Sequence, residues 1–121
     1  MLDMKPDVRD QWTAALRSGR YPQQRAGVLR SRHGWCCLGV LCDLAEQAGV
    51  TTSFWDDGLL AQVYDDTAEY LPEAVQDWAG LTCRSPDVPV KGDLVTLAEL
   101  NDEEGWDFTR IADAIDGTVA P

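Results

Sequence analysis

The stretch that decides the fold is residues 35–48, which read WCCLGVLCDLAEQA. Its first two turns are apolar, and Leu38 and Leu41 recur at the spacing of one helical face. A helix that is apolar on most sides is buried, because no polar face is left for water. We therefore predict a buried central helix over about residues 37–48. Gly39 inside it costs about 1 kcal/mol relative to Ala, which indicates close approach of another segment.

Working outward, four further segments show helical periodicity with start and stop signals. They are residues 7–18, 72–79, 93–100 and 107–116. Residues 28–36 are predicted to form a small hairpin, whereas residues 59–64 fit either a strand or a short helix. The resulting prediction is a mainly α fold of four to five short helices around the central helix. An α+β fold is the alternative.

The length of 121 residues predicts a single domain, residues 1–121, with one core. Five tryptophans spread along the chain are expected to supply much of that core. The N-terminus lacks the apolar segment of a signal peptide. No apolar run approaches the ~20 residues that span a bilayer. These observations predict a soluble, cytoplasmic protein without a membrane partner.

The net charge of −11 is unevenly distributed. Residues 1–34 contain seven basic and three acidic residues, a net charge of +4, and residues 35–121 contain three basic and eighteen acidic residues, a net charge of −15. The simplest interpretation is that the basic segment lies against the acidic remainder. Binding to extended double-stranded nucleic acid is disfavoured, because counterion release needs a broad positive surface. The acidity favours a basic protein partner, and a homo-oligomer is an open alternative.

The four cysteines are typical of buried thiols rather than of a disulfide framework. A sharper hypothesis makes Cys36 or Cys37 a nucleophile, because either lies near a predicted helix N-terminus, where the dipole lowers a thiol pKa. His33, the only histidine, is then the candidate base. The flanking apolar residues favour burial over access, so catalysis is the less favoured interpretation.

Metal binding is a second hypothesis for the same region. His33 and Cys36 have the spacing of a zinc ligand pair, but a second pair is missing. Asp102 and Glu104 lie in an acidic loop, residues 101–105, that does not fit the calcium-loop pattern. A solvated loop is the simpler interpretation, and no cofactor is predicted.

The arginine-rich segment between residues 17 and 33 is the strongest candidate binding site. Guanidinium groups bind phosphate or carboxylate through two hydrogen bonds, and an aromatic ring beside them stacks a base. The predicted ligand-binding residues are Arg17, Arg20, Tyr21, Arg25, Arg30 and Arg32. The expected ligand is a nucleotide or another phosphorylated molecule. Internal salt bridges are the alternative and the simpler interpretation of the same arginines.

Several segments of the sequence resemble a group of uncharacterised small proteins of actinobacteria and their bacteriophages. They are residues 15–19, 27–30, 34–42, 71–72 with Trp78, 97–102, and Phe108 with residues 111–113, of which CCLGVLC at residues 36–42 is the most specific. The resemblance implies a phage or phage-derived origin and no particular activity. Our leading expectation is a non-enzymatic protein that binds a host protein in the host cytoplasm. The alternatives are a nucleotide-binding module and a cysteine-dependent enzyme or zinc protein.

Overall fold

The computed structural model describes residues 2–117, which form five helices and three antiparallel two-stranded sheets. The elements are α1 (Pro6–Arg17), β1 (Arg30–Ser31), β2 (Gly34–Trp35), α2 (Cys37–Gln47), β3 (Ser53–Asp56), β4 (Ala61–Tyr64), α3 (Glu73–Ala79), β5 (Asp87–Val90), β6 (Asp93–Thr96), α4 (Leu97–Asp102) and α5 (Phe108–Asp116). The fold is α+β, so the prediction of a mainly α fold is wrong. None of the helices within residues 2–117 is long and apolar enough to cross a membrane.

Helix α2 is the centre of the core. Its residues from Cys37 to Cys42 are all buried, in agreement with the predicted central helix. The close approach expected at Gly39 is also present, because a Cβ there would overlap the carbonyl oxygen of Leu29. The indole Nε1 of Trp12 donates to the carbonyl oxygen of Cys37 across 3.0 Å, which ties α1 to the start of α2.

Helices α1 and α5 pack against each other, and α1 also packs against α2. Val8, Trp12 and Leu16 form the buried face of α1, and they meet the strongly amphipathic α5. The side chain of Asp107 begins α5 by accepting a hydrogen bond from the Arg110 amide, as the sequence predicts. The two helices therefore bury complementary apolar faces.

The hairpins explain why the fold class differs from the prediction. The expected hairpin exists as β1–β2, and residues 61–64 take the strand alternative by pairing with β3. The third hairpin, β5–β6, was not predicted, since Pro89 argues against a strand. Lys91 and Gly92 have φ of 51° and 88°, the left-handed pair that a type I′ turn requires.

The prediction of a helix over residues 93–100 is therefore wrong for its first four residues. Residues 93–96 form β6, and α4 begins only at Leu97. Asp93 resembles a helix cap in the sequence, but the Thr96 hydroxyl performs this role by accepting from the Glu99 amide across 3.1 Å.

A buried amide network holds the long loop between α1 and β1 against α4. The side-chain amide of Gln23 donates to Asn101 Oδ1 at 2.8 Å and to the Trp106 carbonyl at 2.9 Å. Asn101, which is fully buried, donates to the carbonyl of Gln24 at 2.9 Å. Because each polar group has a partner, the loop is fixed next to α4 without regular secondary structure.

Candidate functional site

An open cavity of about 300 Å³ lies between the loop that joins α1 to β1 (residues 18–29), Tyr70 and helix α4. Four acidic residues line it: Glu69, Glu99, Asp102 and Glu103. In the part of the chain that the structure describes, no Lys or Arg lines the cavity, and none of the four carboxylates has an ion pair. The cavity therefore concentrates negative charge in a concave surface, which attracts a cation.

Helix α4 places three of these carboxylates. The Thr96 cap fixes the first turn, so that Glu99 faces the cavity, while Asp102 and Glu103 lie at the carboxyl end of the helix. Asn101 donates to Asp102 Oδ1 across 2.8 Å and so orients this carboxylate.

Asp102 is the most enclosed of the four carboxylates. Burial raises the pKa of Asp102 above the usual carboxyl value, the hydrogen bond from Asn101 opposes this shift, and the nearby charge of Glu103 adds to it. Arg25 lowers the same pKa weakly, but its guanidinium donates to the carbonyls of Gly105 and Trp106 instead of to a carboxylate. A cation entering the cavity would stabilise the ionised form of Asp102.

Cys36 lines the inner side of the cavity. Its Sγ caps α2 by accepting from the Gly39 amide across 3.4 Å. Burial raises the pKa of the Cys36 thiol to about 12, which outweighs the favourable helix end, so the group is a protonated thiol at neutral pH. Cys37 and Cys42 are buried as predicted, whereas Cys83 is exposed. His33 lines a different groove and is not among the residues that line the cavity.

The predicted metal ligands are only partly brought together. Cys36 and Asp102 line the same cavity, but His33 and Glu104 do not. Nowhere in residues 2–117 do three or more His, Cys, Asp or Glu side chains form a group that could hold a metal ion.

The predicted arginine cluster does not converge on one ligand. Arg17 bridges the carboxylates of Asp113 and Asp116 at 2.7 Å and 2.6 Å, which is the internal salt bridge weighed as the alternative. Arg25 is bound to main-chain carbonyls, as described above. Arg20 and Tyr21 line a separate groove of about 510 Å³ between α1 and α2.

The remaining arginines lie on aromatic rings. The guanidinium of Arg30 is 4.2 Å from the ring centre of Trp35, which in turn meets Tyr21 edge to face at 5.1 Å. The Tyr21 hydroxyl donates to Asp43 at 2.5 Å, and burial together with this bond raises the pKa of Tyr21 to about 12. The carboxylate beside Tyr21 disfavours an anionic ligand there.

A second groove, of about 360 Å³, lies on the other side of the loop. We call it the leucine groove. Its lining residues are Ala26, Val28, Ser31, Arg32, His33, Leu59 and Leu60. Val28 also lines the acidic cavity, so the loop around Val28 separates two neighbouring depressions.

Sequence reasoning missed most residues of both depressions. Glu69 and Glu99 are two acidic residues among many, and only the packing of α4 against the loop selects them. Leu59 and Leu60 carried the one available signal, which is a pair of leucines directly after the turn residues Asp57 and Gly58.

The fold and its cavity define a small α+β domain with an open, acidic, cation-attracting depression. The chain belongs to the family described as a domain of unknown function, DUF8296, whose model matches residues 4–119. Comparison with curated proteins and with solved structures found no match. This family agrees with the expected membership of an uncharacterised group, and the actinobacterial or phage origin stays a prediction.

Proposed function

We propose that this protein binds another protein without catalysis, and that the acidic cavity receives an arginine side chain of the partner. The observation that carries the proposal is the set of four carboxylates around one cavity, with no Lys or Arg among its described lining residues. The volume of about 300 Å³ is at the small end of ligand sites and suits one side chain better than a large ligand.

Arginine fits the lining better than lysine. Its planar fork makes two parallel hydrogen bonds to a carboxylate, and Glu99 and Asp102 lie within one turn of the same helix. The enclosed position of Asp102 strengthens a charge-assisted hydrogen bond, because water screens it less. The net charge of −11 attracts a basic partner from a distance.

The resemblance to phage proteins gives this proposal its setting, in which the partner is a protein of the host cell. The alternative, a nucleotide or other phosphorylated ligand, has less support. Of the six residues expected to bind it, only Arg20 and Tyr21 share a groove, and Tyr21 is bound to a carboxylate there. A catalytic role has less support still, since Cys36 is a protonated thiol and His33 lines the neighbouring groove instead of the cavity of Cys36.

Titration with small probes tests the proposal directly. Acetyl-arginine methylamide is expected to shift the NMR signals of α4 with a dissociation constant in the millimolar range. The uncharged isostere, acetyl-citrulline methylamide, should bind about tenfold more weakly, because it cannot form charge-assisted hydrogen bonds. Raising the salt concentration from about 0.05 to 0.5 M should weaken only the arginine probe.

Variants assign the binding to the cavity. The double substitution Glu99→Gln and Asp102→Asn should abolish the difference between the two probes. Glu104→Gln is the matched control, because Glu104 is exposed and does not line the cavity. Equal binding of both probes to the unmodified protein, or a preference for arginine that survives the double substitution, would refute the proposal.

A further inference from the structure

The leucine groove exposes apolar surface that the fold itself does not need. Leu59 and Leu60 are 58% and 57% exposed, and they line the groove together with Ala26 and Val28. Apolar residues grouped around a depression, rather than scattered singly, are typical of an interaction surface.

The backbone holds these leucines in place. Leu60 has φ of 54°, a left-handed conformation that is unfavourable for a leucine. The turn before it is fixed by Asp56, whose Oδ1 accepts from the amides of Gly58 at 2.8 Å and Leu59 at 3.0 Å. Glycine or asparagine would fit the conformation of Leu60 better, so the leucine is not explained by the turn.

The charge beside this groove is opposite to that of the neighbouring cavity. Arg32 and His33 are exposed at its edge, and within residues 2–117 neither forms an ion pair. On a protein whose net charge is −11, Arg32 places a positive charge next to apolar surface. It complements a partner segment in which a carboxylate follows an apolar side chain.

We propose that the leucine groove receives a leucine-sized side chain of the same protein partner, with an adjacent partner carboxylate paired to Arg32 and His33. Because Val28 lines both depressions, one partner segment crosses it with an arginine in the acidic cavity and the apolar residue in the groove. The inference rests on the proposed function for the arginine end of the segment. The binding of the leucine-sized side chain is inferred from the groove alone.

Synthetic peptides provide the test. The series acetyl-Arg-(Ser)n-Leu-Asp-amide, with one to six serines, and the reversed series acetyl-Asp-Leu-(Ser)n-Arg-amide cover both directions of the segment. At one spacing, the peptide should bind at least about tenfold more tightly than the same peptide with Ser in place of Leu and Asp. Joining two anchors makes the second binding event intramolecular, which gives this gain.

Protein variants locate the apolar end. Leu60→Asn removes the apolar side chain while its backbone conformation is tolerated, since Asn adopts the left-handed region readily. In this variant, the affinity of the best peptide should fall to that of the Ser-substituted peptide. The matched control is Leu94→Asn, because Leu94 is 72% exposed but lines neither depression. Arg32→Gln should remove only the contribution of the peptide Asp.

The outcomes separate the two proposals. If peptides with Arg alone bind and no spacing improves on them, or if Leu60→Asn leaves the gain unchanged, the groove inference is overturned and the arginine site stands. If no peptide binds, both are overturned. Self-association that Leu60→Asn abolishes and that no peptide displaces would identify a second copy as the occupant, which also overturns the inference.

Discussion

Gly39 is the residue at which the central helix meets the backbone of another segment. The Leu29 carbonyl occupies the position of the missing Cβ, and it also accepts a hydrogen bond of 3.0 Å from the Cys36 amide. We expect Gly39→Ala to lower the free energy of unfolding by about 3 kcal/mol, because α2 must shift away from Leu29. Urea denaturation at equilibrium measures this change.

Gly58→Ala is the control for this substitution. Gly58 lies on an exposed turn, and the nearest atom to its missing Cβ is a side-chain oxygen of Asp56 at 3.2 Å. Gly58→Ala should lower the free energy of unfolding by less than about 1 kcal/mol. If Gly39→Ala is equally mild, the close approach of Leu29 does not constrain the helix.

For single residues, the sequence predicts the structure well where a residue type has only a few structural roles. A glycine inside an apolar helix predicts close approach, and Gly39 confirms it. Leu60 could not be identified in the same way, because its left-handed backbone follows from the turn that precedes it and not from its own side chain. The type of a residue indicates the local conformation or contact that suits that residue. Backbone strain that neighbouring residues impose is visible only in the structure.

Helices α1 and α5 are joined at their carboxyl-terminal ends by Arg17 with Asp113 and Asp116. We expect Arg17→Gln to lower the free energy of unfolding by about 0.5–1 kcal/mol at low salt, because the pair is partly exposed. The difference should shrink in high salt, where the charges are screened. Thermal or urea unfolding at two salt concentrations measures both effects.

Arg20→Gln is the matched control, since Arg20 is exposed and has no ion pair within the described residues. It should change the free energy of unfolding by no more than a few tenths of a kcal/mol. An equal, salt-independent loss in both variants would mean that the Arg17 bridge contributes nothing specific.

The elements that the sequence predicts well are those with a full apolar face. The central helix and α5 satisfy this condition, and both lie where their periodicity places them. The β5–β6 hairpin does not, because strands of four residues show little alternation and Pro89 argues against one of them. Short hairpins packed around helices are therefore the part of this fold that periodicity alone cannot find.

For the molecule as a whole, the buried thiols predict a loss of stability in alkali. Burial raises the pKa of Cys36 to about 12 and holds those of Cys37 and Cys42 well above normal. The folded state therefore keeps protons that the unfolded chain releases near pH 9, so stability falls as the pH rises above that value. Each thiol should lower the free energy of unfolding by about 1.4 kcal/mol per pH unit.

Urea denaturation between about pH 7 and pH 10 measures this loss. Labelling with a thiol reagent near pH 8 provides the second measurement, in which exposed Cys83 reacts at once and the other three thiols react only on unfolding. Cys83→Ser should remove the fast reaction and leave the pH dependence unchanged. Several fast thiols, or a stability that is constant across this range, would contradict the prediction.

The candidate site is the least predictable feature of the molecule. Its lining comes from segments as far apart in sequence as Gly27 and Glu103, and the sequence offers no reason to select four carboxylates from so many. The arginines were prominent in the sequence, yet packing divides them among helix bridges, carbonyls and aromatic rings. Charge composition predicts the sign of a partner's charge, whereas only the fold indicates where the partner binds.

Arg32, at the edge of the leucine groove, also lies over the indole ring of Trp55, with 5.7 Å between the guanidinium carbon and the ring centre. Indole fluorescence responds to nearby charge and to water. A partner carboxylate that draws Arg32 away would therefore alter the emission of Trp55. The unlabelled molecule thus carries its own optical signal for occupancy of that groove, and a Trp55→Phe variant would be silent.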